Sequence, residues 1–122
     1  MKLSRKEIGA LGESLAANHL KNNGLVIIET NYRCPHGEID IIAQEKNCIV
    51  FTEVRTKTGN LFGAPEESIT ESKKKHLIDT AYTYLEEKDQ MQEDWRIDFV
   101  AVELDRNHKQ TRIEHYRNAI EG

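Results

Sequence analysis

The chain has 122 residues, 38% of them hydrophobic and 31% charged, so we predict a single globular domain over residues 1–122. Its net charge of −4 excludes a protein coated in positive charge. A nucleic-acid ligand is not excluded, because affinity for phosphates depends on where Lys and Arg cluster. The opening MKLSRKEIGALGE lacks the apolar stretch of a signal peptide, and no run of residues is apolar enough for a membrane span. We therefore expect a cytoplasmic protein with no membrane partner.

A first helix is predicted from the capping box of Ser4 and Glu7, in which each side chain can bind the other residue's backbone N–H. It should stop at the Asn-Asn-Gly of residues 22–24. Gly9 and Gly12 each cost a helix about 1 kcal/mol relative to Ala, so their presence predicts a close approach of other backbone.

Glu13 is the chemically interesting residue of this helix. It lies about 140° around the helical wheel from Ile8, at the border of the apolar face. Its carboxylate could point along the surface of a sheet, or it could simply be a solvated helix residue. The sequence leaves both readings open.

Three strands should follow. Their predicted bounds are Leu25–Ile28 extending toward Tyr32, then Ile39–Ala43 and Cys48–Val54, with turns at 35–37 and 44–47. The second and third strands are apolar on both faces, which predicts helices on both sides of a sheet. We expect Ile42 and Phe51 to share the face of Asp40, and the opposite face to carry Ile39, Ile41, Val50 and Val54.

Asp40 and Glu53 are the most informative pair, since a hairpin turning at Lys46 and Asn47 places them opposite each other. Opposed side chains have Cβ atoms about 5 Å apart. Two carboxylates at that distance repel by roughly 3 kcal/mol at an effective dielectric near 20. Something positive should therefore lie between them. It could be Arg55, on the same face as Glu53, or a divalent metal ion such as Mg²⁺, which binds one or two carboxylates.

A loop is predicted over 56–65, followed by a helix from Ile69 to Glu87 that Ser68 and Glu71 would cap. Its inner stripe should comprise Leu77, Ala81, Tyr84 and Leu85. Its first turns carry Lys73, Lys74 and Lys75. Positive charge opposes the macrodipole there, so this run is either a solvated face or a contact for nucleic-acid phosphates.

The remaining chain predicts an acidic connector over 86–94, a strand over 95–102, a turn over 105–109 and a last strand over 111–116. Asp98 should have a structural role, paired with Arg96 or another cation. The element order is thus αβββαββ.

This order and several short motifs resemble the PD-(D/E)XK nuclease superfamily and, more closely, the YraN-like family of small bacterial proteins. The motifs are GALGE at 9–13, NYR at 31–33, GEID at 37–40, VFTEVRTK at 50–57, RIDFVAV at 96–102 and HYRNAI at 115–120. The resemblance implies an α/β, restriction endonuclease-like fold with a central mixed five-stranded sheet flanked by helices.

The resemblance also implies a nuclease that hydrolyses DNA phosphodiesters with Mg²⁺ or Mn²⁺. Asp40 and Glu53 would bind the metal, with the Val54 carbonyl as a further ligand and Glu13 holding a metal-bound water. Catalytic roles would fall to Glu13, Asp40, Glu53, Arg55 and Lys57, and nucleic-acid contacts to Arg33, Lys73, Lys74 and Lys75. The sequence leaves open whether the substrate is branched or structured DNA. It also leaves open whether the protein is a homodimer.

One departure from the family pattern bears on activity. The superfamily usually has Lys two residues after the Glu, and YraN-like proteins mostly have EVKxR, whereas this chain has Arg55 and Lys57 with the basic residues exchanged. Arg stays charged and cannot act as a base. Whether the protein is an enzyme therefore stays open: a nucleic-acid-binding module on the same scaffold, or an adaptor with an ion-paired acidic cluster, are the alternatives.

Overall fold

In the computed structural model, which describes residues 2–59 and 63–120, one five-stranded sheet lies between two helices. The elements are α1 (Arg5–Asn22), β1 (Val26–Cys34), β2 (Gly37–Glu45), β3 (Cys48–Thr58), α2 (Glu71–Glu87), β4 (Asp94–Leu104) and β5 (Gln110–Ile120), with a single 3₁₀ turn at Pro65–Ser68. The predicted αβββαββ order and α/β fold are confirmed. Within these residues neither helix is long and apolar enough to cross a membrane.

The strands lie in the order β1-β2-β3-β4-β5. Only β3 and β4 are parallel, because α2 carries the chain back between them; the other neighbours are antiparallel. The sheet is therefore mixed, as predicted.

Each face of the sheet is covered by one helix. One core forms between α1 and the sheet, and includes Ala16, Leu20, Ile41, Val50 and Val100. The other forms between α2 and the sheet, and includes Leu77, Tyr84, Ile42, Phe51 and Ile97. The four residues predicted for the inner stripe of α2 are all buried.

The predicted register of the hairpin is confirmed over its regular part, where Ile41 pairs with Thr52 and Ile42 with Phe51. The face predicted for Ile39 is wrong: it packs with Ile42 against α2, whereas Ile41 packs on the α1 side. Regular pairing of β2 with β3 ends at Ile41. Beyond it, at Asp40, the side chains of β2 no longer alternate strictly between the two faces of the sheet.

Several predicted boundaries moved, and the strands run longer than predicted: the last one, for example, ends at Ile120 and not at 116. The second helix begins at Glu71 with Thr70 as its cap, because Ser68 belongs to the preceding 3₁₀ turn. The third strand continues through 56–58, which were predicted to be loop, since its parallel pairing with β4 extends to Thr58. Residues 60–62 of the predicted loop lie outside the described residues.

Gly12 sets the distance between α1 and β3. A Cβ there would lie 1.8 Å from Thr56 Oγ1 and 2.8 Å from Thr56 Cβ, closer than atoms can approach. The predicted close approach is thus found at Gly12, but it is to the side chain of Thr56 and not to backbone. It is wrong for Gly9, where a Cβ would meet nothing within 4 Å. Because Gly12 brings α1 onto β3, the next residue, Glu13, is held beside the strand that carries Glu53.

Candidate active site

A cleft of about 500 Å³, here called the site cleft, opens beside the divergence of β2 and β3. Its lining includes all five residues predicted to be catalytic, namely Glu13, Asp40, Glu53, Arg55 and Lys57. They come from α1, β2 and β3. The fold therefore assembles groups that are up to 44 residues apart in the chain.

Asp40 is tied to the neighbouring strand through its side chain. Its Oδ2 accepts a hydrogen bond from the Val54 N–H across 2.8 Å. This bond fixes the carboxylate beside Glu53, whose side chain is only 7% exposed. Val54, the third predicted metal ligand, also lines the site cleft.

Glu53 is the electrostatically strained member of the pair. Burial, followed by the negative charge of Asp40, raises the pKa of Glu53 well above its ordinary value, and Arg55 only partly opposes the shift. A carboxylate perturbed in this way in a cleft is typical of a functional site, although structural ion pairs produce shifts too.

Arg55 contacts Glu53 directly. Its Nη2 donates to Glu53 Oε2 across 2.6 Å, a short, charge-assisted bond. The Arg55 Nε is buried and has no hydrogen-bond partner among the described residues. The positive group expected beside the two carboxylates is thus present, and its Nε donor has no partner in the part of the chain that the structure describes.

Glu13 reaches the cleft from α1 and is half-buried. Burial, then the charges of Asp40 and Glu38, raise the pKa of Glu13. Electrostatic coupling to Asp40 places it with the acidic group, which favours the site reading over a solvated helix residue.

Lys57 lines the same cleft, because β3 continues past it as a regular strand. Because successive side chains of a strand point to opposite faces, Lys57 lies on the same face of β3 as Glu53 and Arg55. The two basic residues that the motif exchanges therefore both line the site cleft, and Arg55 is the one that contacts Glu53.

The basic residues predicted to bind nucleic acid are divided among different surfaces. Lys73 lines the site cleft, and its Nζ donates to the Ser68 carbonyl at 2.9 Å. Lys74 pairs with Glu71 at 3.1 Å and lines a separate groove toward β5. Lys75 is exposed. Only the first of the three lysines thus belongs to the cleft.

Arg33 lies at the rim of the site. It pairs with Glu38 at 3.1 Å, and both side chains are largely exposed, at 78% and 56%. Glu38 itself lines the site cleft. Arg33 itself does not line the cleft and is joined to it through Glu38.

Four polar residues of the cleft wall were not among the residues predicted for the site, namely Glu38, Thr56, Ser68 and His76. Ser68 was interpreted as a helix cap, and its real position depends on an anchor far along the chain. Glu66, two residues earlier, binds Arg112 at 2.8 Å and Tyr116 Oη at 2.5 Å, both on β5. No local sequence signal reveals such a tertiary anchor.

The donor set suits a metal with few protein ligands. Within residues 2–59 and 63–120, no three His, Cys, Asp or Glu side chains are grouped closely enough to form a metal cage. Mg²⁺ commonly takes only one or two protein carboxylates and completes its octahedron with waters and substrate phosphates. Asp40 and Glu53 supply two such carboxylates in the site cleft.

Asp98 confirms its predicted structural role outside the cleft. It is fully buried and accepts hydrogen bonds from Arg96 Nε at 2.9 Å, from the Asn118 N–H at 2.8 Å and from the His115 ring. Burial opposes its ionisation, but the bonds from His115, Arg96 and Asn118 outweigh that effect and lower its pKa. This network joins β4 to the edge strand β5.

Comparison with known proteins agrees with the motifs. The model of the family described as "Uncharacterised protein family UPF0102" matches residues 12–102, which contain every candidate catalytic residue. The chain belongs to the UPF0102 family. These are the YraN-like proteins that the sequence motifs resemble.

Relatives in the UPF0102 family align over 72% to 98% of the chain. A UPF0102 protein from Dehalococcoides mccartyi is 45% identical over 120 residues, covering 98% of each protein. One from Pelotomaculum thermopropionicum is 40% identical over 117 residues, covering 96% of this chain and 98% of the relative. One from Clostridium botulinum strain Loch Maree is 48% identical over 88 residues, or 72% of each. The family is therefore established by sequence along the chain's length.

Proposed function

We propose that this protein is a metal-dependent nuclease that hydrolyses DNA phosphodiester bonds, with Asp40 and Glu53 as its metal-binding carboxylates. The observation that carries the proposal is the pair itself. Asp40 is fixed by the Val54 N–H beside a Glu53 that is almost fully buried, in a cleft that also holds Lys57 and Lys73. Two carboxylates next to basic groups suit a phosphate substrate with a divalent cation.

The roles of the residues follow from their positions. Asp40 and Glu53 would hold Mg²⁺ or Mn²⁺, with the Val54 carbonyl as a further ligand. When bound, the ion would polarise the scissile phosphate and lower the pKa of the attacking water. Glu13, held beside the pair by the close packing at Gly12, would orient that water through a hydrogen bond.

The basic residues would stabilise charge on the phosphate. Arg55 and Lys57 would face it from β3, and Lys73 from the opposite wall of the cleft. Arg presents a planar fork that suits phosphate oxygens but stays protonated, so the proton of the attacking water would pass to a carboxylate or to solvent. Lys74, Lys75 and Arg33 would contact phosphates farther along the DNA.

A second candidate function is supported by the Arg55–Glu53 ion pair at 2.6 Å. If the guanidinium always neutralises Glu53, the protein would bind nucleic acid through its basic residues without cleaving it. Binding that requires no divalent cation, with no hydrolysis, would favour this alternative.

Hydrolysis of supercoiled plasmid, single-stranded DNA and a four-way junction should be measured with Mg²⁺, with Mn²⁺ and with EDTA. We expect metal-dependent cleavage that falls at least about a hundredfold in Asp40→Asn and Glu53→Gln, as is typical when a group acting on the transition state is removed. Glu86→Gln, on the exposed surface of α2, is the matched control and should cleave normally. Cleavage that survives both site substitutions would refute the proposal.

A further inference from the structure

Arg55 and a metal ion compete for one carboxylate. The Arg55 guanidinium bonds Glu53 Oε2 at 2.6 Å, and Glu53 is too buried to turn toward solvent. A divalent cation on Glu53 would meet this guanidinium at contact distance, where like charges repel strongly. While Arg55 stays on Oε2 it therefore disfavours the ion, and the ion binds more tightly once the guanidinium has moved away.

Arg55 has the freedom and the chemical reason to move. Its side chain is 36% exposed, and its buried Nε lacks a partner among the described residues. The observed side-chain conformation therefore leaves one N–H of the guanidinium group without a hydrogen bond to any of them. A phosphate group accepts two parallel N–H bonds from a guanidinium, which would satisfy donors that Glu53 leaves unpaired.

A phosphate in the site cleft would arrive beside Arg55. The cleft also presents Lys57 from the same strand and Lys73 from α2, so its basic side chains attract the ligand to which Arg55 would turn. The same event would free Glu53 for a cation.

We propose that Arg55 keeps Glu53 closed to a metal ion until a nucleic-acid phosphate draws the guanidinium away, so that metal and nucleic acid bind cooperatively. The inference rests on the proposed function and adds a regulation of the same site. By linkage, each ligand must raise the affinity for the other by the same factor. Free protein would then hold its metal weakly and would acquire it on the substrate.

Two measurements on wild type and Arg55→Gln test this. Calorimetry gives the Mn²⁺ affinity without nucleic acid, and fluorescence anisotropy gives the affinity for a labelled phosphorothioate oligonucleotide with and without Mn²⁺. We expect Arg55→Gln to bind Mn²⁺ alone about tenfold more tightly, and the gain in oligonucleotide affinity caused by Mn²⁺ to shrink about tenfold, within the usual range of coupling between sites. The ratio with and without Mn²⁺ cancels any general loss of phosphate affinity.

Two further variants keep the test decisive. Arg55→Met removes the charge without adding a polar group and should give the same two shifts if Arg55→Gln folds poorly. Arg106→Gln, on the exposed turn between β4 and β5, removes an Arg elsewhere and should behave like wild type. Unchanged or weaker Mn²⁺ binding in both Arg55 variants overturns the inference. If wild type still cleaves DNA in that case, the proposed function stands, whereas no Mn²⁺ binding in any variant, either alone or with the oligonucleotide present, refutes both.

Discussion

The carboxylate of Asp40 accepts the backbone N–H of Val54 at 2.8 Å, at the point where the regular pairing of β2 and β3 ends. The bond joins the two strands through a side chain and holds Asp40 beside the residue that precedes Val54. The backbone of β3 thus fixes the position of the Asp40 carboxylate next to Glu53. No rearrangement of other side chains in the cleft is needed to bring the two carboxylates together.

Substitution of Gly12 tests how α1 is seated. Gly12→Ala should destabilise the protein by about 1–3 kcal/mol, because the new methyl would overlap Thr56 and force a core shift. Gly9→Ala should instead be neutral or stabilising by up to about 1 kcal/mol, since open space surrounds that position and Ala favours a helix. Urea denaturation measures both. Equal effects of the two substitutions would contradict the packing described here.

The raised pKa of Glu53 predicts a pH dependence of stability in metal-free protein. Its pKa is raised from an ordinary 4.5 to about 8, so between these values the folded protein holds a proton that the unfolded chain has lost. The free energy of unfolding should therefore fall as pH rises through this window. Glu53→Gln, which cannot titrate, should show a flatter profile in denaturation at pH 5 to 9. If the free energy of unfolding of wild type instead rises with pH relative to that of Glu53→Gln, the prediction is contradicted.

Asp98 is predicted to matter for stability and not for the cleft. Asp98→Asn should cost about 2 kcal/mol or more, because it weakens the charge-assisted bonds that Arg96 and the His115 ring make to a buried carboxylate, while Arg96 keeps Glu45 as its remaining partner. Chemical denaturation gives the free energy of unfolding, and Glu86→Gln serves as the surface control. Mn²⁺ affinity, measured under conditions where the variant is folded, should stay at the wild-type value. Loss of metal binding from the folded variant would place Asp98 in the site after all.

The division of the basic residues among surfaces predicts unequal effects on DNA binding. Lys73→Met should weaken binding more than Lys75→Met, since Lys73 lines the cleft and Lys75 does not. If Lys73 meets a phosphate, the slope of log affinity against log salt should also decrease by roughly one. Fluorescence anisotropy across a salt series measures both quantities. Identical losses from the two substitutions would indicate a diffuse electrostatic effect instead.

The hairpin could be predicted because its turn fixes its register. A short turn at Lys46 and Asn47 between two apolar runs leaves one pairing that keeps each face consistent, and Ile42 does pair with Phe51. The close approach at Gly12 was predicted from a glycine in a helix interior, but the same rule was wrong for Gly9, so it indicates candidate positions only. Such inferences use local chemistry alone.

Other features depend on distant parts of the chain. Ser68 and Thr70 are both good helix caps, and sequence alone did not favour Thr70. The anchor from Glu66 to Arg112 decides where this segment lies and brings Ser68 to the cleft. Likewise, the alternation of side chains along a strand places Arg55 on the same face as Glu53, but only the folded structure gives their 2.6 Å contact.

Calorimetric titration of Mn²⁺ into wild type, Asp40→Asn, Glu53→Gln and Glu86→Gln tests the central claim most directly, with DNA present if free protein binds the ion weakly. We predict saturable binding to wild type and Glu86→Gln, and its loss in both site variants, because two carboxylates hold the ion. Equal Mn²⁺ affinity in all four proteins, or none in any of them with DNA present, would contradict a metal site at Asp40 and Glu53.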